Sequence, residues 1–204
     1  MSGNPDSPNS IDDAKAPKKR LDRRIHRTRE ALGDAFIALM IEQPFESITV
    51  QHVLDRAGVS RSTFYSHYSD KDDLFLSDVE DFWELTATML ARNHDRSDRV
   101  APVRELFAHI DEAKDFYSAL VSSGRLHDVM ELGRGYLARG IEERLAASTK
   151  TKELSKERLA AIAHAQSGAL FSLLDWWINH GQRESPAEMD DLFHRMLWAG
   201  LSEK

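Results

Sequence analysis

The stretch TVQHVLDRAGVSRSTFYSHYSDK, from Thr49 to Lys71, contains two short helical patterns separated by four residues. Neither is long enough to be stable alone, because isolated helices below about 12–15 residues are marginal in water. The two must therefore pack on each other and on a further element. Gly58 stands where the first helix would end, since glycine readily adopts the positive φ of a helix stop. Thr49 can cap the first helix, and Ser60 the second, each by accepting a hydrogen bond from a backbone N–H.

A short helix, a tight turn containing glycine and a second short helix form a helix-turn-helix. In DNA-binding proteins the second helix enters the major groove, and its N-terminal residues face the bases. Arg61 can pair bidentately with guanine, and the Ser62 and Thr63 hydroxyls can donate or accept at base edges. We therefore predict base contacts by Arg61, Ser62 and Thr63.

A second set of polar residues suits phosphate oxygens, which position a protein on DNA without reading its sequence. The predicted phosphate contacts here are Tyr65, His67 and Lys71, with Thr49 placing backbone N–H groups at a helix N-terminus. Phe64, between these polar residues, is expected to pin the second helix onto the core. The alternative is a helical hairpin whose polar face is only solvated, as is usual for a short surface helix.

Charge is distributed unevenly along the chain. The net charge is −7, yet residues 18–71 hold ten Lys/Arg against seven Asp/Glu. The run KKRLDRRIHRTR, residues 18–29, holds seven Lys/Arg and one Asp. A basic head on an acidic body favours contact with a polyanion at one end only. We predict phosphate contacts by Arg23, Arg24 and Arg27; a solvated charge run, or a flexible arm reaching the minor groove, remains an alternative for the start of this segment.

Apolar residues recur every three or four positions along most of the chain. The first such stripe runs from Ile25 to Met40 and ends before Pro44, which predicts an amphipathic helix. Ser69 with Asp72, and Ser185 with Glu188, have the spacing of helix-opening capping boxes. No segment shows the alternation of a strand. The sequence predicts an all-α fold, with a three-helix DNA-binding head followed by a larger C-terminal helical bundle.

Composition sets further limits. The chain has 204 residues and no cysteine, which excludes disulfides, thiolate metal sites and a cysteine nucleophile and fits a reducing cytoplasm. No apolar run is long enough to cross a bilayer, and the N-terminus lacks a signal-peptide core, so we expect a cytoplasmic protein without membrane contact. We divide the chain into a disordered polar tail (1–19), a helix-turn-helix domain (20–71) and a helical effector-binding and dimerisation domain (72–204).

The segment FESITVQHVLDRAGVSRSTFYSHYSDKDDLF resembles the DNA-binding region of the TetR/AcrR family of bacterial transcriptional regulators. Leu54-Asp55 stands where Ile-Ala is usual, and Tyr68 replaces the common Phe. The resemblance covers roughly residues 22–76 and implies a homodimer bound to a palindromic operator on double-stranded DNA. The matching positions are Ala57-Gly58-Val59-Ser60, Thr63-Phe64-Tyr65, His67-Tyr68, Lys71 and Leu74.

The resemblance also implies that the last two long helices form the dimer interface. A stripe of small residues within 154–180 would let another helix approach closely, although an intrachain packing seam is the alternative. The resemblance further implies a small-molecule effector bound among large apolar side chains, which the composition alone cannot distinguish from core. The predicted interface is Ala161, Ala165, Gly168, Ala169, Ser172, Phe193, Leu197 and Trp198, and the predicted pocket is Trp83, Phe107, Tyr117 and Trp176.

Catalysis and metal binding find little support. The nine histidines are scattered, without an i, i+4 pair or an H-E-x-x-H motif, and only a convergence of His109, His127 and His164 would suggest a metal. No nucleophile elbow, P-loop or dinucleotide fingerprint is present. We therefore expect no enzyme activity, no metal and no cofactor. The predicted function is a sequence-specific transcriptional regulator that acts as a ligand-released repressor. The alternative is a non-catalytic helical interaction protein or co-regulator with weak or no DNA binding.

Overall fold

The computed structural model describes the backbone of residues 15–181 and 183–202, and the side chains within 23–181 and 183–201. Every regular element in this part of the chain is helical, which confirms the all-α prediction. None of these helices is long and apolar enough to cross a membrane. The α-helices are α1 Lys15–Glu42, α2 Val50–Ala57, α3 Arg61–Tyr65, α4 Lys71–Arg92, α5 Val103–Glu112, α6 Lys114–Ser122, α7 Leu126–Ala147, α8 Lys156–Asn179 and α9 Pro186–Ser202, with 3₁₀ turns at Phe45–Ser47 and Thr149–Thr151.

The N-terminal boundary differs from the prediction of a disordered segment 1–19. Helix α1 already begins at Lys15, so residues 15–19 are helical, while residues 1–14 lie outside the described part. Pro17 does not prevent this start, because the first four N–H groups of a helix have no acceptor within the helix. The basic run is therefore continuous with the first helix of the head.

Capping side chains fix the helix-turn-helix. The Thr49 side chain accepts from the backbone N–H of His52, and the Ser60 side chain accepts from that of Thr63. Gly58 ends α2 with φ of 65°, a left-handed conformation that favours glycine. All three of these predictions are confirmed.

The start of α4 is shifted by one residue from the prediction. Asp70, not Ser69, is the N-cap, and its side chain accepts from the N–H of Asp73 at 2.8 Å. Asp73 reaches back to the N–H of Ser69 at 2.7 Å. Aspartate is as good a cap as serine, and Asp73 binds the residue before the cap rather than the cap itself. The box at Ser185 and Glu188 is confirmed, with the Ser185 N–H donating to Glu188 Oε2 at 2.7 Å.

The head has its own small core. Leu32 and Phe36 from α1 meet Val53 from α2, Phe64 from α3 and Leu74 from α4, and all five side chains are buried. Helix α3 has five residues, and a helix this short is not stable alone in water. Burial of Phe64 against this core therefore fixes how α3 faces outward.

Helix α4 belongs to both parts of the molecule. Its first turns close the head, and farther along Trp83 is buried in the body, where its indole N–H donates to the Val129 carbonyl at 2.9 Å. Helix α7 packs on α4 and α8, and α5 packs on α9. Gly133 permits the closest of these contacts, because a Cβ there would lie 2.5 Å from the Trp83 ring.

The connection from α4 to α5 is fixed by polar contacts. Arg144 on α7 donates to the carbonyl oxygens of Asp95, Ser97 and Arg99 at 2.8–3.0 Å. The Val100 N–H donates to Nε2 of His194 on α9 at 3.1 Å. The connection between α4 and α5 is thus bound to both α7 and α9.

Candidate nucleic-acid interface

The outward face of α3 carries the predicted base-contacting residues. Arg61 and Ser62 are exposed, Thr63 is half-buried, and Tyr65 is 50% exposed. Beneath them Phe64 and Tyr68 are buried with ring centroids 5.7 Å apart. The polar side of α3 therefore points away from the core, as an interface with DNA requires.

Arg61 is held in place across the two helices. Its Nη2 donates to Gln51 Oε1 at 3.3 Å, and its guanidinium carbon lies 6.0 Å from the centre of the Tyr65 ring. The Gln51 amide also donates to Asp55 at 2.8 Å. Gln51 was not among the predicted site residues; its position, one turn before Asp55 on the exposed side of α2, is the signal that marks it as a neighbour of α3.

The hydroxyl groups at the start of α3 form a cluster. Ser60 Oγ lies 2.8 Å from Thr63 Oγ1 and 3.1 Å from Ser62 Oγ, and it also accepts from the Thr63 N–H. Thr63 is thus engaged in capping as well as facing outward. Ser62 and Arg61 are the more exposed of the predicted base-reading groups.

Three predicted phosphate-contacting arginines share one recess. Arg23, Arg24 and Arg27 are exposed, and they line a recess of about 410 Å³ with Thr28, Ala31 and Val59. Val59 belongs to the turn of the helix-turn-helix, so α1 brings its positive charges directly beside that turn. Guanidinium groups form bidentate hydrogen bonds with phosphate, which suits this recess to a DNA backbone.

Of the other predicted phosphate contacts, Thr49 and Tyr65 are exposed and His67 is half-buried against Tyr68. Lys71 is different. Its ammonium donates to the Phe45 carbonyl at 2.7 Å and lies 4.2 Å from the Phe45 ring centroid. The structure therefore gives Lys71 a role within the head, because a carbonyl and a ring face already surround its charge.

Tyr68, the residue that departs from the resembled pattern, has a partner in Arg29. Arg29 Nε donates to the Tyr68 hydroxyl at 3.1 Å, and Arg29 Nη2 donates to Ser77 at 2.8 Å and Asp81 at 2.7 Å. The bond to Tyr68 raises the pKa of Arg29. One side chain of α1 thereby joins the recognition segment to α4, a role that sequence reasoning missed.

An open groove of about 670 Å³ lies between α1 and α4. At Gly33 the two helices are so close that a Cβ would lie 2.5 Å from Asp78 Oδ2. Burial, and then the nearby Asp81 carboxylate, raise the pKa of Asp78 to about 7. The apolar residues that line the groove are Ile25, Ile37 and Leu85.

The predicted effector pocket is not formed in this structure. Trp83, Phe107 and Tyr117 are buried in the hydrophobic core, where burial raises the pKa of the Tyr117 hydroxyl. Trp176 is 41% exposed on the outer face of α8, where it stacks on His180 with a centroid distance of 4.7 Å. The four residues therefore do not line one cavity. Their helical spacing is the same whether the large side chains fill a core or surround a ligand, so the sequence alone does not separate the two.

The predicted dimer-interface residues fall into two groups. Phe193 and Leu197 are only 3% and 1% exposed and belong to the core of the protomer, which corrects their assignment. Trp198 donates its indole N–H to the Asp98 carbonyl at 2.9 Å. The small residues Ala161, Ala165, Ala169 and Ser172 are exposed along α8, and Gly168 is half-buried.

Among the described residues, no three histidine, aspartate or glutamate side chains come together in a way that could hold a metal. A convergence of His109, His127 and His164, the one arrangement that would suggest a metal, is not formed there. His109 lies instead against Phe82, with a ring-centroid distance of 4.9 Å.

Comparison with known protein families assigns both parts of the chain. The family model described as "Bacterial regulatory proteins, tetR family" matches residues 34–77. The model described as "Transcriptional regulator C-terminal region" matches residues 102–198. The first match contains the helix-turn-helix and the second contains most of the body.

Similar sequences carry related descriptions. An HTH-type transcriptional regulator of Bacillus subtilis is 38% identical over 64 residues, and one of Haemophilus influenzae is 33% identical over 73 residues. The chain spans only 17% and 36% of the length of these two relatives, and these matches cover 31% and 35% of the chain. An HTH-type transcriptional repressor of Mycobacterium tuberculosis is 26% identical over 144 residues, which cover 71% of this chain and 73% of that protein.

Solved structures show the same fold. A TetR transcriptional regulator from Streptococcus agalactiae superposes with a TM-score of 0.59 at 24% identity, covering 88% of this chain and 98% of that one. The dihydroxyacetone kinase operon activator DhaS superposes with a TM-score of 0.60 at 18% identity, covering 85% of this chain and 96% of that one.

Proposed function

The chain belongs to the TetR family of bacterial transcriptional regulators, and we propose that it is a homodimeric repressor that binds a short palindromic operator and is released by a small molecule. The observation that carries the DNA-binding part is the outward polar face of α3. Phe64 anchors this helix, Arg61 is held by Gln51, and the arginine-lined recess lies beside its turn.

Base reading and backbone binding are assigned to different residues. Arg61 and Ser62 are placed to reach base edges in the major groove, and Thr63 is placed to contribute where its cap allows. Arg23, Arg24 and Arg27 bind phosphate, since they approach from α1 at the side of α3. Thr49, Tyr65 and His67 complete the backbone contacts. In a dimer the two α3 helices would enter successive major grooves about 34–36 Å apart.

The proposed dimer interface lies on the outer faces of α8 and α9. The exposed small residues Ala161, Ala165 and Ala169 leave room for a partner helix along α8. Met196 on α9 is 60% exposed, although the large apolar side chains Met189, Phe193 and Leu197 of this helix are buried. Such exposure is unusual for a large apolar side chain. We therefore replace Phe193 and Leu197 with Met196 in the proposed interface.

An effector can release DNA only by binding the DNA-incompetent arrangement more tightly than the competent one. The body core is packed around Trp83 and Phe107 in the state described here. An effector that enters this core must therefore rearrange it, which would couple binding to the packing of α7 against α4. Repression is favoured over activation by a relative that matches 71% of this chain and is named a repressor.

The test selects operators from a random duplex pool and measures affinity by fluorescence anisotropy. Arg61→Ala should lose base discrimination by about 1–3 kcal/mol at one position of each half-site. Arg24→Ala should weaken all duplexes alike and lower the salt dependence by about one phosphate. Arg92→Ala, an exposed arginine in the last turn of α4, is the control and should bind as wild type does.

The same experiment separates the runner-up function, a helical co-regulator that does not bind DNA itself. Enrichment of no sequence above the starting pool would favour that alternative. Enrichment of a site without two-fold symmetry would contradict the proposed dimeric arrangement on DNA. Equal binding by wild type and Arg61→Ala at every position would contradict the assignment of base reading.

A further inference from the structure

The turn between α6 and α7 reaches from the body into the head. Gly124 turns the chain with φ of 70°, and Arg125 follows it at the N-terminus of α7. The Arg125 guanidinium carbon lies 4.1 Å from the centroid of the Phe45 ring, and Nη2 donates to Asp72 Oδ1 at 2.7 Å. Glu46 lies 3.9 Å from the same nitrogen. A residue of the body thus contacts both the 44–48 loop and the first turn of α4.

Phe45 is the centre of this contact. Its ring is 2% exposed and packs at right angles to Phe36, with the centroids 5.7 Å apart, and against Phe75 at 5.6 Å. Lys71 also approaches the Phe45 ring, and its ammonium binds the Phe45 carbonyl. The ring therefore receives one cation from the head and one from the body. Aromatic rings attract cations through their electron-rich faces, and the attraction strengthens when water is excluded.

The contact differs in kind from the other links between head and body. Helix α4 runs through both parts, and α1 packs on α6. Arg125 instead makes directional contacts, a single hydrogen bond from Nη2 to Asp72 Oδ1 and a guanidinium contact over the Phe45 ring. Its side chain is 25% exposed, so water only partly competes for these bonds. Directional contacts are sensitive to small displacements in a way that apolar packing is not.

We propose that Arg125 is a positioning residue for DNA binding, which fixes the head on the body by holding the 44–48 loop and the start of α4. The predicted effect on DNA binding rests on the proposed function, whereas the contacts of Arg125 do not. Asp72 lies one residue after Lys71 and seven after the end of α3. A shift of the α6–α7 turn would therefore reach the recognition helix through a short, stiff path, and loss of the Arg125 contacts would let the head move.

The test compares Arg125→Ala, Arg125→Lys and the matched control Arg139→Ala. Arg139 lies on the same helix and stacks on Tyr136 at 4.8 Å, but it contacts no part of the head. The first readout is backbone hydrogen exchange in full-length protein without DNA. Arg125→Ala should speed exchange at least threefold in residues 43–48 and 60–70, Arg125→Lys should give an intermediate value, and Arg139→Ala should match wild type. Exchange in α8 should be unchanged in all three.

The second readout is affinity for the selected operator, with the thermal unfolding midpoint measured alongside. Arg125→Ala should bind at least tenfold more weakly while keeping its helix content, and Arg125→Lys should recover part of the loss. Unchanged exchange in the head of Arg125→Ala would overturn the proposal, as would faster exchange throughout the chain or operator binding equal to wild type. If wild type selects no operator, the proposed function fails, and the exchange measurement alone decides the role of Arg125.

Discussion

The surroundings of Asp78 disfavour its charged form, and replacing this residue should stabilise the protein at neutral pH. It lies on α4 against the backbone of Gly33, and burial followed by the Asp81 carboxylate raises its pKa from 3.8 to about 7. Arg29 offsets this only in part, since its guanidinium is bound to Tyr68, Ser77 and Asp81.

The sign follows from proton linkage. The folded state binds a proton at Asp78 between pH 3.8 and about 7, where the unfolded state has already released it. The contribution of Asp78 to stability is therefore greatest below the pKa that this residue has in the unfolded state. It is lost as the pH rises through the pKa that the residue has in the folded state. A raised pKa of about three units corresponds to a ceiling of roughly 4 kcal/mol above pH 7. Because the groove is open to solvent, screening reduces this stability cost, and we expect Asp78→Asn to raise the free energy of unfolding by about 1–2 kcal/mol.

Asp78→Asn keeps the shape of the side chain and removes its ionisation. Urea unfolding at a series of pH values should show that the variant gains stability over wild type from pH 4 to pH 7, with no further gain from pH 7 to pH 8.5. Glu80→Gln, which removes an exposed carboxylate from the same helix, should parallel wild type throughout. A variant curve that runs parallel to wild type from pH 5 to pH 8 would refute the reasoning, and so would a variant that is less stable at pH 8.

Two further predictions concern the packing of Gly133 against Trp83 and the hydrogen bond between Arg29 and Tyr68. Gly133→Ala should destabilise the protein by about 1–3 kcal/mol in urea unfolding, because the new Cβ would lie 2.5 Å from the Trp83 ring. Gly135→Ala, two residues along the same helix with nothing within 4 Å of its Cβ, should instead stabilise by up to about 1 kcal/mol; similar effects at both glycines would contradict the structure. Tyr68→Phe should cost about 1 kcal/mol, since Arg29 Nε loses its acceptor, and an unchanged urea midpoint would show that this bond is not stabilising.

Local features of this chain could be predicted because they depend on neighbours in sequence. The caps at Thr49 and Ser60, and the left-handed Gly58, each follow from residues within one helical turn. The polar face of α3 was predictable for the same reason, since burial of Phe64 alone determines which side points outward.

The features that the sequence did not reveal are contacts between residues distant in sequence. Lys71 meets the Phe45 carbonyl 26 residues away, and no local pattern distinguishes that partner from a phosphate. Phe193 and Leu197 have the spacing of a helix-packing seam, but the spacing does not say whether the opposing helix belongs to the same protomer. The Arg125 contact was missed likewise, because its three partners lie in the 44–48 loop and the start of α4.

Helix α4 is a single rigid rod shared by the two parts of the molecule. Its 22 residues span about 33 Å at 1.5 Å per residue. If α4 rotates by about 5° around its Arg92 end, its Lys71 end moves by about 3 Å. This distance is close to the 3.4 Å rise of one base pair along each DNA strand. The same tilt displaces Trp83, nine residues from Arg92, by only about 1.2 Å, while it moves the head by nearly one step of the double helix.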